Sequence, residues 1–426
     1  MKKALVLAGG GTKGIYECGV LQALRELGKD DWDLVIGVSV GALNAAMLVQ
    51  NDFELLAEMY ENLKAEDIVN GFVPDDMSVH TLISERAQVL PQLKYYLKEK
   101  GIDVRPFYEF VDRYYNPERF FASGTDFGCI AAREKDHSCV YVTKEMMKEN
   151  GKDWLIASAS AYPAFPVKEI DGEKYVDGGY YDNFPLSEAV RQGCDEIIGI
   201  ELSLESRHPG LLSREHITVI RPHEDLENFL SFDRELMNHR RIIGYNDAMK
   251  KFGRYTGEKY TFEPFALPHF FDRWYLDTIL LEAKIKNATN VTERIYSDEL
   301  ITDRLKTQLH VPVLTTRQYF YGMMDQLMTE AGASTDKVYT VKEAYDLIRE
   351  TFINSLNEDF ELYPSHVTEF ASYMRNLDRK TIIAMLVHVK EYPEHSKISE
   401  NIILAVYPME ASLAMFAYGL LKEEIK

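Results

Sequence analysis

The chain has 426 residues, 46% of them apolar and 12% aromatic, which is ample for packed cores and long for a single ordinary domain. Its 48 basic and 68 acidic residues leave a formal charge of −20, a field that repels nucleic acid and anionic lipid surfaces. These values exclude a disordered, collagenous or coiled-coil chain and take nucleic acid out of the expected partners.

Lys2 and Lys3 precede an apolar run from Ala4 to Ala8 that ends in glycines. A secretory apolar region takes about 7–15 residues, so this shorter run reads as a buried strand, and a cytoplasmic protein is expected. Glycines 9, 10, 11 and 14 follow. A helix is expected from Lys13 to Leu27, with Val20, Leu21, Leu24 and Leu27 on one face and Gly28 as its cap. Residues 33–37 give a second buried strand, which ends at Ser39, and a helix follows with Leu43, Ala46 and Met47 facing inward. The alternation predicts an α/β fold with a parallel sheet.

Residues 53–122 read as mainly helical. Residues 127–132 and 138–142 read as strands around a charged turn. Asp153 is expected to cap a helix reaching Ala161, and Tyr175 and Val176 to end a strand that delivers Asp177. Pro185 suits the first position of a helix and Gly193 the position just past its end. Strands at 196–200 and 217–221 and a helix over 227–252 close this unit. Beyond it helical periodicity takes over, with helices expected at 297–309, 317–331, 340–357, 364–374, 379–389 and 399–421. The shift falls at Gly253–Lys259 and divides the chain into domains 1–256 and 257–426. The apolar stretch from Ile402 to Leu421 is interrupted by Pro408 and Glu410, so it reads as packed helix rather than a membrane span. The aromatic groups Phe270-Phe271, Trp274-Tyr275 and Tyr319-Phe320-Tyr321 read as core. Cys18, Cys129, Cys139 and Cys194 form no C-x-x-C pair and read as free thiols, with no metal site.

Three segments carry chemistry. Gly37-Val38-Ser39-Val40-Gly41 puts a serine between glycines at a strand-to-helix turn, where the helix dipole favours negative charge at the serine. The second is Gly9-Gly10-Gly11-Thr12-Lys13-Gly14. Its bare backbone N–H groups suit an oxyanion, with Gly10 and Gly11 as the foremost donors, and Lys13 either supports the loop or holds a phosphate. Gly9, Gly11 and Gly14 also spell the dinucleotide fingerprint G-x-G-x-x-G, but the acids Asp31 and Asp33 stand before the second strand or at its start, where that fingerprint wants one at its end. The third is Asp177-Gly178-Gly179, which in isolation is equally an ordinary β-turn.

Taken together, these segments resemble the patatin-like phospholipase family. The stretches Ala157 to Pro166 and Asp182-Asn183-Phe184-Pro185 extend the likeness, which covers about residues 4–222. The resemblance implies a three-layer α/β/α domain with a mainly parallel central sheet, to which this chain adds a mainly α-helical C-terminal region of unassigned role. It implies a Ser39 nucleophile, an Asp177 base, an oxyanion loop of Gly9, Gly10 and Gly11, and supporting roles for Thr12, Lys13, Gly14, Gly37, Gly41, Gly178 and Gly179. No cofactor, metal or third catalytic histidine is required, and surface positions are expected for His80 and His137. The implied activity is a lipid acyl hydrolase of the phospholipase A or lysophospholipase type acting on a lipid or acyl ester. Acyl transfer to an alcohol and, more remotely, dinucleotide binding are the alternatives. A transient contact with a membrane surface and the oligomeric state are left open.

Overall fold

The computed structural model describes residues 1–70, 103–287, 300–309, 311–353, 362, 372–397, 403 and 406–422. The chain divides into two compact units, Met1–Phe252 and Gly253–Lys426.

The first unit is built on an eight-stranded sheet: β1 (Lys3–Leu7), β2 (Leu34–Val38), β3 (Asp126–Arg133), β4 (Cys139–Thr143), β5 (Lys168–Ile170), β6 (Glu173–Asp177), β7 (Glu196–Ile200) and β8 (Ile217–Ile220). The order runs β5-β6-β3-β2-β1-β7-β8, with β4 paired to β3. The central five strands are parallel, with Leu5 opposite both Val35 and Ile198. β4, β5 and β6 add antiparallel pairs. Successive residues of a strand point to opposite faces, and every residue of β2 and all but the first of β1 are buried. Both faces of the sheet are therefore covered, as a parallel sheet requires. From β1 the chain proceeds outward through β2 to β3 and later returns on the other side as β7 and β8. The carboxyl end of β1 thus lies at a topological switch point, the usual place for a site in such sheets.

Helix α1 (Gly14–Glu26) follows β1, α2 (Val40–Val49) follows β2, and α3 (Phe53–Asn62) comes next. A buried polar brace ties the three. Asn44 of α2 donates to Glu17 of α1 at 2.7 Å and accepts from the Tyr60 hydroxyl of α3 at 3.0 Å. Burial pushes the Glu17 carboxyl well above its ordinary pKa, against the hydrogen bond it accepts from Asn44.

Three local expectations are corrected. Asp153 does not cap its helix. That helix runs from Met147 to Ser158 with non-helical backbone at Asn150, and Asp153 lies within it, paired to Lys168 at 2.5 Å. Pro185 is the N-cap of helix Leu186–Arg191 rather than its first residue. The last helix of the unit begins at Arg234 rather than 227, because the Asp233 side chain accepts the Leu236 N–H at 2.8 Å and caps it there. The short strand β5 carries no clear alternation and was not expected.

In the second unit, helices Ile301–Leu309 and Val341–Phe352 stand within the expected helical stretches, and Thr316–Glu330, Arg379–Glu391 and Pro408–Lys422 overlap theirs and overrun one end by one or two residues. Helix Phe270–Asn287 was not anticipated, and the expected helix at 364–374 falls mainly outside the described residues. Thr315 with Gln318 and Thr340 with Glu343 form capping boxes that fix two of the starts. Phe271 and Phe320, both fully buried, meet edge-on at 4.7 Å, and Trp274 packs on Phe416. Phe271 and the Tyr319-Phe320-Tyr321 group are core, and Phe270, Trp274 and Tyr275 pack against it partly buried. No helix among the described residues is long and apolar enough to cross a membrane.

Candidate active site

Parallel neighbours β1 and β2 deliver the glycine loop and Ser39 side by side at their carboxyl ends. Ser39 leaves the strand with φ +54° and ψ −127° and becomes the N-cap of α2. A non-glycine residue in that region is strained. The surroundings hold it: its N–H donates to Ser158 Oγ at 3.0 Å, and that hydroxyl donates to the Ile130 carbonyl at 2.7 Å. Ser158 belongs to the quoted stretch from Ala157, yet nothing in its spacing marked it as a support for the serine.

Gly37 and Gly41 are present because backbones meet there. A Cβ on Gly37 would stand 2.1 Å from the Gly41 carbonyl oxygen, and one on Gly41 2.5 Å from that of Ala8. Alanine normally gains about 1 kcal/mol over glycine inside a helix. Here the obstructing atoms are backbone, so Gly41→Ala is expected to lose about 1–3 kcal/mol instead. A lowered Tm with retained secondary structure by circular dichroism is the expected outcome; an unchanged or raised Tm would show that the close approach does not matter.

Asp177 arrives from a distant part of the chain through the sheet register. Val38, the last residue of β2, stands opposite Ile130, and the next residue of β3, Ala131, stands opposite Asp177 at the end of β6. β6 takes up the edge of β3 where β2 turns away, which brings the carboxyl to the serine. The Asp177 N–H donates to the Ser160 carbonyl at 2.8 Å, fixing the strand end. Gly178 lies so close to the Ile130 carbonyl that a Cβ would come within 2.1 Å.

The Asp177 carboxyl is buried, and desolvation raises its pKa from 3.8 to about 6, against the lowering effect of the Gly179 N–H hydrogen bond (2.7 Å) and of the Ser39 side chain. A carboxylate with that value is ionised at neutral pH and more basic than a free aspartate.

The glycine loop is braced on two sides. Asn183 donates from Nδ2 to the Gly9 carbonyl at 2.8 Å, and its own carbonyl accepts the Gly9 N–H at 3.0 Å. Gly9 therefore drops out of the expected donor set, because its N–H is already spent. Among the described residues the N–H groups of Gly10 and Gly11 have no acceptor. Asn183 also stands beside Gly179, so it joins the loop to the aspartate turn. In the sequence, Asn183 stands out only as one residue of the Asp182–Pro185 segment, with no local signal for this role. Lys13 lies 3.7 Å from Asp225 and does not line the cavity, which favours loop support over phosphate binding. Gly14 opens α1. Asp33 accepts the Lys3 N–H at the start of β2, at the far end from a dinucleotide ribose.

Ser39, Asp177, Gly10, Gly11 and Asn183 open onto a cavity of about 500 Å³ walled by apolar side chains, among them Leu43, Met59, Phe107, Phe110, Phe165 and Phe229. Its volume suits an organic ligand, and its walls suit a hydrocarbon one. His137 stands outside it, exposed in the β3–β4 turn with its ring 4.8 Å from that of Tyr180. His80 lies outside the described residues.

The family model described as patatin-like phospholipase matches residues 5–190. An uncharacterised protein of Escherichia coli K12, YjjU, is 29% identical over 199 residues, spanning 46% of this chain and 51% of that protein. Lysophospholipase NTE1 of Meyerozyma guilliermondii is 27% identical over 212 residues, 48% of this chain and 13% of the enzyme. The chain thus spans about half the length of the first of these relatives and about an eighth of the second. Among solved structures, VipD from Legionella pneumophila aligns with 14% identity and a TM-score of 0.38, covering 100% of this chain and 93% of that one.

Proposed function

We propose that the protein, whose residues 5–190 match the patatin-like phospholipase family model, is a serine-dependent lipid acyl hydrolase acting through a Ser39–Asp177 dyad. The observation that carries this reading is the buried Asp177 carboxyl lining one apolar cavity together with Ser39 at its strained turn. The lysophospholipases among the relatives support the same substrate class.

In this mechanism Asp177 accepts the hydroxyl proton as Ser39 Oγ bonds to the ester carbonyl carbon. The carbonyl electron pair moves onto oxygen, where the Gly10 and Gly11 N–H groups receive it. Collapse expels the alcohol, which leaves with the proton held by Asp177, and an acyl-Ser39 ester remains. Water then attacks that ester, giving its proton to Asp177. The second collapse breaks the bond to Ser39 Oγ, which recovers the proton and releases the fatty acid. The acyl chain occupies the apolar cavity throughout. The base works where its desolvation has raised its basicity, and no step calls for a metal or a histidine.

A fluorophosphonate probe tests the reading. The expected outcome is one adduct per chain, mapped by mass spectrometry to the peptide containing Ser39 and absent in Ser39→Ala. Equal labelling of that variant would refute the assignment. Incubation with a long-chain lysophospholipid and a competing alcohol then tells hydrolysis from acyl transfer: free fatty acid is expected as the main product, and a new ester would name a transferase.

A further inference from the structure

Arg240, on helix Arg234–Lys251, is wholly buried. Its hydrogen bonds reach only uncharged oxygens. Nη1 donates to Thr12 Oγ1 at 3.1 Å, and Nη2 donates to the Asn228 carbonyl at 2.7 Å and to the Leu226 carbonyl. Nε meets no acceptor among the described residues. A guanidinium so placed costs folding free energy, and an apolar side chain of similar size would usually serve stability better.

The two groups it joins are both parts of the candidate site. Thr12 follows the donor glycines directly. Its N–H and its hydroxyl both donate to the Phe229 carbonyl, at 2.8 and 3.1 Å. Because Thr12 Oγ1 accepts from Arg240, its single hydrogen is left for Phe229. The Lys13 N–H closes the turn on the Gly10 carbonyl at 3.1 Å. On the other side, the segment held through its 226 and 228 carbonyls continues into Phe229, Leu230 and Phe232, which line the cavity. One guanidinium therefore fastens the donor loop and a wall of the acyl cavity to each other.

We propose that Arg240 is a positioning residue of the oxyanion site, holding Thr12 and with it the Gly10 and Gly11 N–H groups against the 226–229 segment. The proposal rests on the acyl-hydrolase reading above. Donor placement acts on the tetrahedral stage rather than on ground-state binding, so kcat should fall with KM nearly unchanged.

The test uses the full chain and a short-chain soluble ester. Arg240→Met is expected to lower kcat about 100-fold, the scale of a donor displaced by about 1 Å. Thr12→Val, which removes one hydroxyl, is expected to lower it about tenfold, with its N–H contact intact. The double variant should fall no further than Arg240→Met, since both changes break one connection. The inhibition constant of an alkyl trifluoromethyl ketone, which forms a tetrahedral adduct, should rise in step with the loss in kcat/KM. Unchanged kcat in folded variants, losses that multiply, or an effect confined to KM would each overturn the proposal. If Arg240→Met fails to fold, Thr12→Val with the ketone decides it. Ser39→Ala separates the two levels: activity retained there removes the hydrolase reading, whereas an inactive Ser39→Ala beside fully active Arg240 and Thr12 variants removes only the positioning role.

Discussion

Ser39→Ala is expected to reduce hydrolysis of a soluble ester by roughly 10⁶-fold, the scale reached when a serine hydrolase loses its nucleophile. The residual rate would come from the cavity and the Gly10 and Gly11 donors alone. Two companion effects distinguish loss of the nucleophile from damage to the fold. The Ser39 side chain lowers the Asp177 pKa against desolvation, so its removal should raise that pKa further. Ser39→Gly should be equally inactive and more stable. Its backbone takes φ +54° without penalty, and relief of about 1–3 kcal/mol of strain outweighs the roughly 0.5–1 kcal/mol that glycine loses in entropy. The checks are steady-state kinetics and thermal melting side by side. Substantial turnover by Ser39→Ala would end the dyad mechanism, and a less stable Ser39→Gly would end the account of strain.

Asp177→Asn is expected to lower kcat by about 10²- to 10⁴-fold, the range of a general base. In the parent protein kcat/KM should rise with pH through an apparent pKa of about 6 and level off above it, as the carboxyl becomes the ionised base. The residual activity of the variant should lose that step. Stability should move the other way. The folded pKa is raised above the unfolded value near 3.8, so ionising Asp177 costs the folded state free energy that a neutral group does not. Below about pH 4 the carboxyl is protonated in both states and the cost vanishes; it opens as pH climbs toward 6 and is complete above that. Complete, it amounts to about 3 kcal/mol. Asp177→Asn should therefore melt higher than the parent at pH 8, and the margin should close toward pH 4. A margin independent of pH would place the origin of the change elsewhere.

Sequence alone was sufficient wherever the controlling interactions are local. The apolar runs of β1, β2 and β7 and the strand–turn–helix order give a parallel α/β core because periodicity and turn chemistry act over a few residues. The same holds for the serine: Gly37 and Gly41 announce a tight turn, and strand and helix signals flank it. Asp177 was legible as a candidate only through its pattern with the other two segments, since an Asp-Gly-Gly turn by itself carries no chemistry.

The tertiary structure decided what depends on contacts across the chain. Asp177 meets Ser39 because β6 continues the edge of β3 that β2 abandons, a register that no local signal encodes. Burial, which raises the pKa of that carboxyl, is likewise a property of the assembled cavity. Gly9 looked like a third donor beside Gly10 and Gly11 because all three share one composition; only the Asn183 carbonyl tells them apart. The start of the helix at Arg234 was misread because Asp233 caps it and Arg240 holds the Leu226 and Asn228 carbonyls outside it. The sequence determined which residue types stand at the strand ends, because those follow from short-range turn and helix preferences. Which of them face one another, and how basic or free each becomes, was decided by packing between segments far apart in the chain.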